Sequence, residues 1–553
     1  MTPETRAGAR WLALALLLVL ALVLFVPGQS GLPPIDRDES RYAVATTQML
    51  SSGDFIDIRF QDEPRHLQPA GIYWLQSIAV SIFSSAEARA IWGFRLVSLA
   101  GATIAVLLTG WLAGRLFDSR AGLIAGALVA VSLLLGVEAR MAKIDATMLA
   151  VVVTAQSALM LLYLDRATRP ALTAGLFWTA LGIGLMLKGP IAPIVSGLTV
   201  LALAVWERRL AWLRRLRSPW GIPLMLAIAL PWPVAITLKT DGAFLSEAIG
   251  HSMLGKVATG QQAHGAPPGY HLLAFTIAFW PGALFAVLAI PFVWRNRNEP
   301  VVRFLIAWIL PTWLVFELVA TKLPHYTLPT YPAIATLTAA ALTAGAIRLP
   351  EGRWSWPARG YLGLWAFVGA ALALAGIGAA LALDGRLDPV ALAVSVAGLA
   401  TIGLAGRALL RGQAPRALVL AGTAALVIWV GTFGWTLPQV RGLWLTPRIV
   451  AAAEAAAPCP GRLLVTTPYH EPSLVFLHGP YATRLARSPE AAAEVLAERR
   501  GCTVAVVGAR ERERFLARAA QLDIAPGAAG SVQGRNYSNG RALDLTLFVL
   551  PPT

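Results

Sequence analysis

The chain has 553 residues, of which 56% are hydrophobic and 14% charged, and its mean hydropathy is +0.62. A soluble globular protein rarely combines these values, so the composition predicts a polytopic membrane protein. The formal net charge of +16 does not indicate a nucleic-acid partner, because the Lys and Arg residues are spread through short connectors and form no basic tail or stripe.

The predicted elements begin with the apolar run from Trp11 to Pro27. We interpret it as a retained first span, since no small-residue cleavage site separates it from the acidic sequence that follows. Windows of about 17 to 25 apolar residues predict about 13 transmembrane helices in all. Their approximate cores are 11–28, 92–114, 121–138, 146–164, 171–187, 190–206, 221–238, 272–292, 304–320, 329–346, 361–382, 390–406 and 417–435. The shorter stretch AGIYWLQSIAVSIF predicts a helix in the membrane interface.

The charge of the connectors predicts the orientation of the spans. Connectors such as WERRLAWLRRLR and WRNRNEPVVR hold most of the short-loop Lys and Arg, which indicates that they and the N-terminus are cytoplasmic. The long loops 29–91 and 239–271 and the C-terminal segment then lie outside. All 7 histidines also fall in segments placed outside, as a polar site at the outer membrane face would require.

The sequence after the last span predicts a small extracytoplasmic α/β domain at 439–553, following a membrane domain at 1–438. GRLLVTTPYHEPSLVFLHG predicts strand, turn and helix, CTVAVVG a buried strand, and GSVQGRNYSNGRALDLTLFVL a hairpin with SNG at the turn. Cys459 and Cys502 can either pair or remain free thiols in such a domain. No phosphate-binding glycine loop is present, which excludes the motor of an ATP-driven transporter.

Charged residues crowd the start of the first outer loop, in the stretch PPIDRDESRYAV. A carboxylate at Asp36 or Asp38 suits the N-cap or first turn of a helix. Capping explains one carboxylate, but not two acids flanked by Arg37 and Arg41. Because charge at a membrane edge is expensive, the cluster indicates a site for a polar substrate.

Further polar groups follow on the same predicted side of the membrane. For Lys188 and Lys322 taken singly, snorkelling at a helix end is the alternative explanation. Several cations on one membrane face instead indicate a phosphate or pyrophosphate ligand. The groups are His66, Gln68, Arg140, Lys143, Asp145, Lys188, His251, Lys256, His264, Lys322, His325 and Tyr326.

Taken together, these motifs resemble those of the integral-membrane glycosyltransferases that use polyprenyl-phosphate sugars, which have the GT-C fold. The motifs are DESRY, a KPxxxYW-like segment, an aspartate between spans three and four, KGP and KLPHYTLPTYP. Within that class the chain is most similar to the bacterial lipid A aminoarabinose transferases and their relatives among the protein mannosyltransferases. The resemblance implies an all-α membrane domain with a small C-terminal α/β domain.

The resemblance also implies roles for individual residues. It places Asp38, Glu39 and Asp145 among the catalytic groups. It assigns the carrier phosphate to Lys188, Lys256, Tyr326, Gln68 and Arg41. It leaves His251, His66 and His325 as candidates for acceptor or metal binding.

One segment departs from the pattern of the family. Where such proteins commonly have Glu-Lys-Pro, this chain has Leu67-Gln68-Pro69. Gln68 can hydrogen-bond a phosphate but cannot neutralise it, and Leu67 supplies no carboxylate to pair with His251. The departure does not support a zinc or magnesium site, so no metal is predicted and the cofactor is left unknown.

The resemblance implies a glycosyltransferase of the inner membrane with a periplasmic site, acting as a monomer among membrane lipids without nucleic acid. Its donor would be a polyprenyl-phosphate-linked sugar, and its acceptor lipid A or another envelope glycan. A protein O-mannosyltransferase of the same fold is the alternative. A lipid-linked-sugar flippase or secondary transporter is the alternative from another class, but it predicts charges at mid-membrane depth and polar residues on both sides.

Overall fold

The computed structural model describes residues 3–208, 210–216, 219–245, 266–499 and 501–551. The chain up to about residue 440 is dominated by helices. The first nine are α1 (Pro3–Phe25), α2 (Asp38–Ser52), α3 (Gly71–Phe83), α4 (Ile91–Leu116), α5 (Ser119–Ala130), α6 (Leu133–Glu138), α7 (Asp145–Tyr163), α8 (Pro170–Lys188) and α9 (Ile191–Glu207). The next α-helices are Gly221–Ala229, Pro231–Lys239, Ala243–Leu245, Tyr270–Ala278, Gly282–Arg295, Pro300–Leu318, Tyr331–Thr343, Ser355–Asp384, Pro389–Leu410, Ala414–Gly431 and Leu437–Gln439. Short 3-10 helices occupy Ala211–Leu216, Pro324–Thr330, Gly352–Trp354 and Arg441–Leu443, and a π-helical turn occupies Thr432–Thr436.

The length and composition of these helices make this a multi-pass membrane protein. Among the described residues, 9 helices are long and apolar enough to cross a membrane, or up to 10 if the bent pair Tyr270–Ala278 and Gly282–Arg295 counts as one span. The sequence predicted about 13 spans, and each predicted core contains helix. Three of those helices are short, with 12 residues in α5, 17 in α9 and 13 in Tyr331–Thr343, and the bent pair turns by 118°. A hydropathy window counts apolar residues and does not detect the breaks between helices.

Helices α4, α7 and α8 form the part of the bundle that holds the polar residues of interest. Gly101 of α4 faces the start of α7 so closely that an added Cβ would lie 2.6 Å from the Cα of Thr147. Small residues permit such direct backbone packing between membrane helices. Because a short connection joins α7 to α8, the start of α7 and the end of α8 lie at the same end of the bundle.

The C-terminal domain contains a five-stranded mixed sheet. Its helices are Leu445–Ala456, Pro472–His478, Pro489–Glu498 and Arg512–Gln521. Its strands are β3 (Leu463–Thr467), β4 (Thr483–Leu485), β5 (Thr503–Gly508), β6 (Gly527–Arg535) and β7 (Ala542–Val549), after the small hairpin β1 (Arg59–Phe60) and β2 (Glu63–Pro64) of the outer loop. The sheet order is β4-β3-β5-β7-β6, with β4, β3 and β5 parallel and β7 antiparallel to both of its neighbours.

This architecture confirms the predicted strands, helices and terminal hairpin. The sequence did not predict β4 or the helix Leu445–Ala456. Successive residues of a strand point to opposite faces, so Leu464 packs with Ile449 on one face of the sheet and Val465 packs with Leu496 on the other. Helices therefore cover both faces.

Cys459 and Cys502 form a disulfide, with their Cα atoms 6.0 Å apart. Of the two alternatives that the sequence left open, the structure contains the paired one. The bridge joins residues 43 positions apart and connects the segment before β3 to the start of β5.

The C-terminal domain packs on the outer loop through a small apolar cluster. Val475 and Phe476 of the helix Pro472–His478 contact Ala43 and Val44 of α2. The ring of Phe476 also meets Phe94 of α4 edge-on, at 5.3 Å between centroids.

Asp36 is part of this contact. The sequence suggested that Asp36 could cap α2, but the N-cap residue is Arg37 and it has no side-chain capping bond. Asp36 Oδ1 instead accepts a hydrogen bond from the Ser473 amide at 2.9 Å, and the Asp36 amide donates to the Tyr537 hydroxyl at 2.7 Å. Asp36 therefore does not cap α2, because a tertiary partner takes its carboxylate, whereas Asp38 lies in the first turn of the helix, the other position that the sequence suggested.

Replacing Asp36 with Asn is expected to remove a pH-dependent part of the stability. Burial raises the pKa of Asp36 from 3.8 to about 6, and the nearby Glu471 carboxylate acts in the same direction, while the hydrogen bond from Ser473 opposes both. The folded state therefore binds this proton more tightly than the unfolded state does. Its contribution to stability is complete below pH 3.8 and is lost as pH rises through about 6. The loss is roughly 2–3 kcal/mol.

Unfolding of the detergent-solubilised protein between pH 4 and 7 measures this effect. We expect Asp36→Asn to be more stable than the wild type at pH 7 and similar to it near pH 4. Asp62→Asn, at an exposed position of the same loop, should follow the wild type throughout. Parallel curves for the wild type and Asp36→Asn would contradict the assignment.

Candidate active site

Two acids and two lysines meet at the outer end of α7 and α8. The Lys188 ammonium, at the end of α8, forms an ion pair with Asp145 at the start of α7. Lys143 Nζ lies 3.1 Å from Glu138 Oε1 and 3.5 Å from Asp145 Oδ2. The ring nitrogens of His325 lie 3.7 Å from Asp145 Oδ1 and 3.9 Å from Glu138 Oε1. Since these side chains are largely buried, each carboxylate depends on the adjacent ammonium group for neutralisation.

Asp38 lies beside this cluster in the first turn of α2. Its side chain is exposed. Its carboxylate acts electrostatically on Arg65, Lys143 and Tyr326, three residues that lie far apart in the sequence. The structure thus brings Asp38 and Asp145 to one region and leaves the Asp38 carboxylate accessible.

Glu39 differs from its neighbour in being completely buried. It accepts two hydrogen bonds from the Arg95 guanidinium, at 2.7 and 2.9 Å, and one each from the amides of Ile35 and Ala142, at 2.7 and 2.8 Å. The sequence placed Glu39 among the catalytic groups. With four donors around it, the carboxylate joins the start of α2 to the segment before α7, and we infer that Glu39 positions Asp38 and does not react.

His66 and Gln68 lie on the segment between the β1–β2 hairpin and α3. His66 Nε2 pairs with Asp57 Oδ1 at 2.9 Å, and its ring meets Phe244 edge-on. Gln68 is half-buried, whereas Leu67 is 45% exposed. These contacts connect the outer loop to the helices that follow α9.

A cavity of about 530 Å³ opens between these elements. One side of it is apolar and formed by α9 and the helix Pro300–Leu318, as an isoprenoid chain would require. The polar side chains at its wall come from four separate segments. They are His66, Gln68, Asp145, Lys188, His325 and Tyr326.

Two of the groups at the cavity wall, His325 and Tyr326, are uncharged at neutral pH. Burial lowers the pKa of His325 to about 3. The Lys188 and Lys143 ammonium groups act in the same direction, and the Asp145 carboxylate opposes them. Burial also raises the pKa of Tyr326, and a nearby carboxylate strengthens that effect. Tyr326 therefore keeps its hydroxyl proton and can donate a hydrogen bond into the cavity.

Glu138, Asp145 and His325 each offer a donor atom, and within the described part of the chain these atoms lie within 4.8 Å of one another. Such a set has the chemistry of a divalent-metal site. The two carboxylates are, however, already paired with Lys143 and Lys188. A metal ion would have to displace these ammonium groups, so we assign the cluster to ion pairing.

Three further residues were predicted to belong to the site, namely Arg41, Lys256 and His251. Arg41 is half-buried on α2 and interacts electrostatically with Arg65 and Asp38. Lys256 and His251 lie outside the described residues.

Sequence reasoning missed three charged residues of the site. Arg65 is buried, donates to the Tyr73 hydroxyl at 3.2 Å and lies over the Tyr42 ring. Glu138 and Arg95 were each assigned to a predicted span without comment. For Glu138 and Arg95 the signal was present, because an ionisable residue inside an apolar stretch marks a functional or structural partner. Arg65 lies in a polar loop, where a charge gives no such signal.

Comparison with known proteins agrees with this geometry. Residues 67–236 match the family model described as dolichyl-phosphate-mannose-protein mannosyltransferase. The crystal structure of ArnT from Cupriavidus metallidurans bound to undecaprenyl phosphate superimposes with a TM-score of 0.71, over 96% of this chain and 97% of that one, at 21% sequence identity. The chain has the GT-C fold. The predicted fold class is thereby confirmed, with its membrane domain and its small C-terminal sheet domain.

Curated relatives extend the GT-C comparison to the sequence level. The chain is 29% identical over 350 residues to the undecaprenyl phosphate-alpha-4-amino-4-deoxy-L-arabinose arabinosyl transferase 2 of Pseudomonas fluorescens, covering 62% of each protein. It is 28% identical over 415 residues to the corresponding transferase of Aeromonas salmonicida, covering 73% of each. The predicted resemblance to the aminoarabinose transferases is confirmed. The match to the first of these relatives spans about three fifths of its length.

Proposed function

We propose that this protein transfers a sugar of the aminoarabinose type from a polyprenyl phosphate to lipid A. The observation that carries the proposal is the cavity that combines Lys188 and Tyr326 with apolar lining residues. The exposed carboxylate of Asp38 acts electrostatically on Tyr326 of this cavity. A lipid-linked donor needs this combination of an apolar channel with cations and hydroxyl donors at its end.

The names of the relatives support the choice of donor and sugar. The curated relatives are named as transferases of 4-amino-4-deoxy-L-arabinose from undecaprenyl phosphate. The structure with the same fold from Cupriavidus metallidurans holds undecaprenyl phosphate. In this chain, Lys188 and Tyr326 at the cavity wall supply the cation and the hydroxyl donor that such a ligand requires.

In the proposed reaction the bond between the sugar carbon and the phosphate oxygen breaks, and the bond to the acceptor oxygen forms. Negative charge grows on the leaving phosphate. Lys188, Arg41 and Lys256 would neutralise it, while Tyr326 and Gln68 would donate hydrogen bonds. Before the donor arrives, the ion pair with Asp145 holds the Lys188 ammonium group in place. When the donor binds, this ammonium group would pair in part with the phosphate.

Asp38 acts on the acceptor or the sugar in this scheme. If the acceptor is a phosphate of lipid A, the nucleophile is already anionic and needs no base. The Asp38 carboxylate would then orient the acceptor and stabilise positive charge on the oxocarbenium-like sugar. With a hydroxyl acceptor, the same carboxylate would take the proton.

The proposed location is the inner membrane, with the site and the C-terminal domain in the periplasm and the protein acting as a monomer. The excess of Lys and Arg in the connectors at the other end of the bundle supports this orientation. The disulfide in the C-terminal domain also supports it, since disulfides persist in oxidising compartments.

Replacing Lys188 with Gln is expected to lower kcat/KM for sugar transfer by about a hundredfold, because one charged donor to the leaving phosphate is lost. Lys239→Gln is the matched control. Lys239 also ends an outer-side helix and pairs with an aspartate, Asp54, but it does not line the cavity. Equal activity in the two variants would show that Lys188 does not bind the leaving phosphate.

The function itself is tested by giving the purified protein a polyprenyl-phosphate aminoarabinose with a radiolabelled sugar, together with lipid A. Labelled lipid A and an equimolar amount of bare polyprenyl phosphate are the expected products. A protein acceptor included in the same assay tests the alternative that the mannosyltransferase family match suggests. Movement of intact donor across a vesicle membrane without release of polyprenyl phosphate would contradict the proposal.

A further inference from the structure

A second cavity lies at the opposite end of the bundle from the candidate active site. It is a groove of about 670 Å³ between α1, α4, α7 and α8. Asp145 and Lys188 mark the active-site ends of α7 and α8, whereas the groove includes the connection between these helices. Each of the two helices has 19 residues, so the connection between them lies about 28 Å along the bundle from Asp145 and Lys188.

The lining of the groove changes in character along its length. The rim of the groove, at the end of the bundle away from the candidate active site, holds Arg115, at the end of α4, and Arg166, just after α7. Its deeper part is aliphatic, with Leu14, Leu18 and Leu108 among the lining residues. A cationic rim above an apolar channel is complementary to an anionic lipid headgroup with acyl chains.

Aromatic side chains mark the same rim as a membrane–water interface. Trp11 is 73% exposed and Trp111 lies beneath the Arg115 guanidinium, 5.6 Å from its carbon atom. Tryptophan is enriched at the headgroup level of membranes. The acids near these arginines are engaged elsewhere, because Asp118 caps α5 through the Ala121 amide and Asp165 pairs with Arg215.

A buried hydroxyl in the groove wall distinguishes between kinds of lipid. Ser157 of α7 is 4% exposed, and its Oγ has no hydrogen-bond partner among the described residues. Ser157 lies 6 residues before the end of α7, hence about 9 Å below the rim. In a diacyl phospholipid the ester carbonyls lie just below the phosphate and can accept this hydrogen bond. An isoprenoid phosphate has no carbonyl group.

We propose that the groove is a binding site for an anionic diacyl phospholipid of the opposite leaflet. The phosphate lies between Arg115 and Arg166, an ester carbonyl accepts from Ser157, and the acyl chains follow the leucines of α1 and α4. The site is separate from the proposed transferase site and does not depend on that activity.

Native mass spectrometry of the purified full-length protein, titrated with phosphatidylglycerol, tests the proposal. We expect the protein to bind phosphatidylglycerol in preference to zwitterionic phosphatidylethanolamine. The affinity for phosphatidylglycerol should be at least tenfold weaker in Arg115→Gln/Arg166→Gln. Ser157→Ala should weaken binding about threefold through the lost hydrogen bond. The matched control is Arg120→Gln/Arg169→Gln, which removes two exposed arginines of the same membrane face that do not line the groove.

Three results would overturn the proposal. The first is equal loss of phosphatidylglycerol binding in the groove variant and the control variant, which would indicate a general surface effect. The second is equal affinity for the two phospholipids. The third is a polyprenyl phosphate that binds more tightly than phosphatidylglycerol and loses affinity in the groove variant. The unfolding temperature of the groove variant in detergent, measured in parallel, reports whether the protein is folded.

Discussion

Replacing Asp38 with Asn is expected to lower the rate of sugar transfer by about a thousandfold. The exchange keeps the size of the side chain and removes its negative charge. That charge lies beside Lys143, Arg65 and Tyr326, at the point where the sugar would become positively charged. Transfer by the purified variant, measured at saturating donor, checks the expectation.

Two variants make this result specific. Asp62→Asn, at an exposed position of the same loop, should transfer sugar at the wild-type rate. Asp38→Glu should recover part of the activity, because it restores the charge at a displaced position. Since the Asp38 side chain is exposed, the Asn variant should unfold at the wild-type temperature. A folded and fully active Asp38→Asn enzyme would contradict the role of Asp38 in sugar transfer.

Replacing Arg95 with Met is expected to destabilise the protein by about 3–5 kcal/mol, because it leaves the Glu39 carboxylate buried without its cation. Both side chains are completely buried. The Arg95 guanidinium also donates to the carbonyls of Gln29 and Leu32, at 2.8 Å each, and to that of Pro33 at 3.0 Å. Its loss therefore loosens the whole connection between α1 and α2. Unfolding by denaturant in detergent measures the change.

A double variant separates the lost ion pair from lost packing. Arg95→Met/Glu39→Gln removes both charges, so it should be more stable than Arg95→Met alone. Arg120→Met, at an exposed position on the other side of the membrane, should have little effect. If the double variant is no more stable than Arg95→Met, burial of an unpaired carboxylate is not the cause.

The periodicity and hydropathy of the sequence predicted most of the elements. Both signals arise locally, since an apolar run forms helix in lipid and an alternating run forms a strand wherever it lies. They therefore located the strands β3 and β5, the terminal hairpin and helix in every predicted span. Among the described residues, fewer helices than the sequence predicted are long enough to cross a membrane singly, because a break such as the one before Gly282 changes the direction of a helix without changing its apolar composition.

The sequence predicted some residues of the candidate site and missed others. Asp38, Asp145, Lys188 and Tyr326 carried motifs that the sequence displays directly, and the structure brings them to one region. Their neighbours Glu138 and Arg65 have no such motif. A charge inside an apolar segment shows that a partner exists, but only the packed chain shows which partner it is.

The sequence by itself determined that this is a membrane protein with a small α/β domain, because these properties depend on composition and on short-range periodicity. Only the tertiary structure decided how the carboxylates divide their roles. Asp36, Asp38 and Glu39 are nearly adjacent, yet one contacts the C-terminal domain, one is exposed, and one is buried against Arg95. Their environments differ because Ser473 and Arg95, the partners of Asp36 and Glu39, come from segments more than fifty residues away, and no local pattern contains that information.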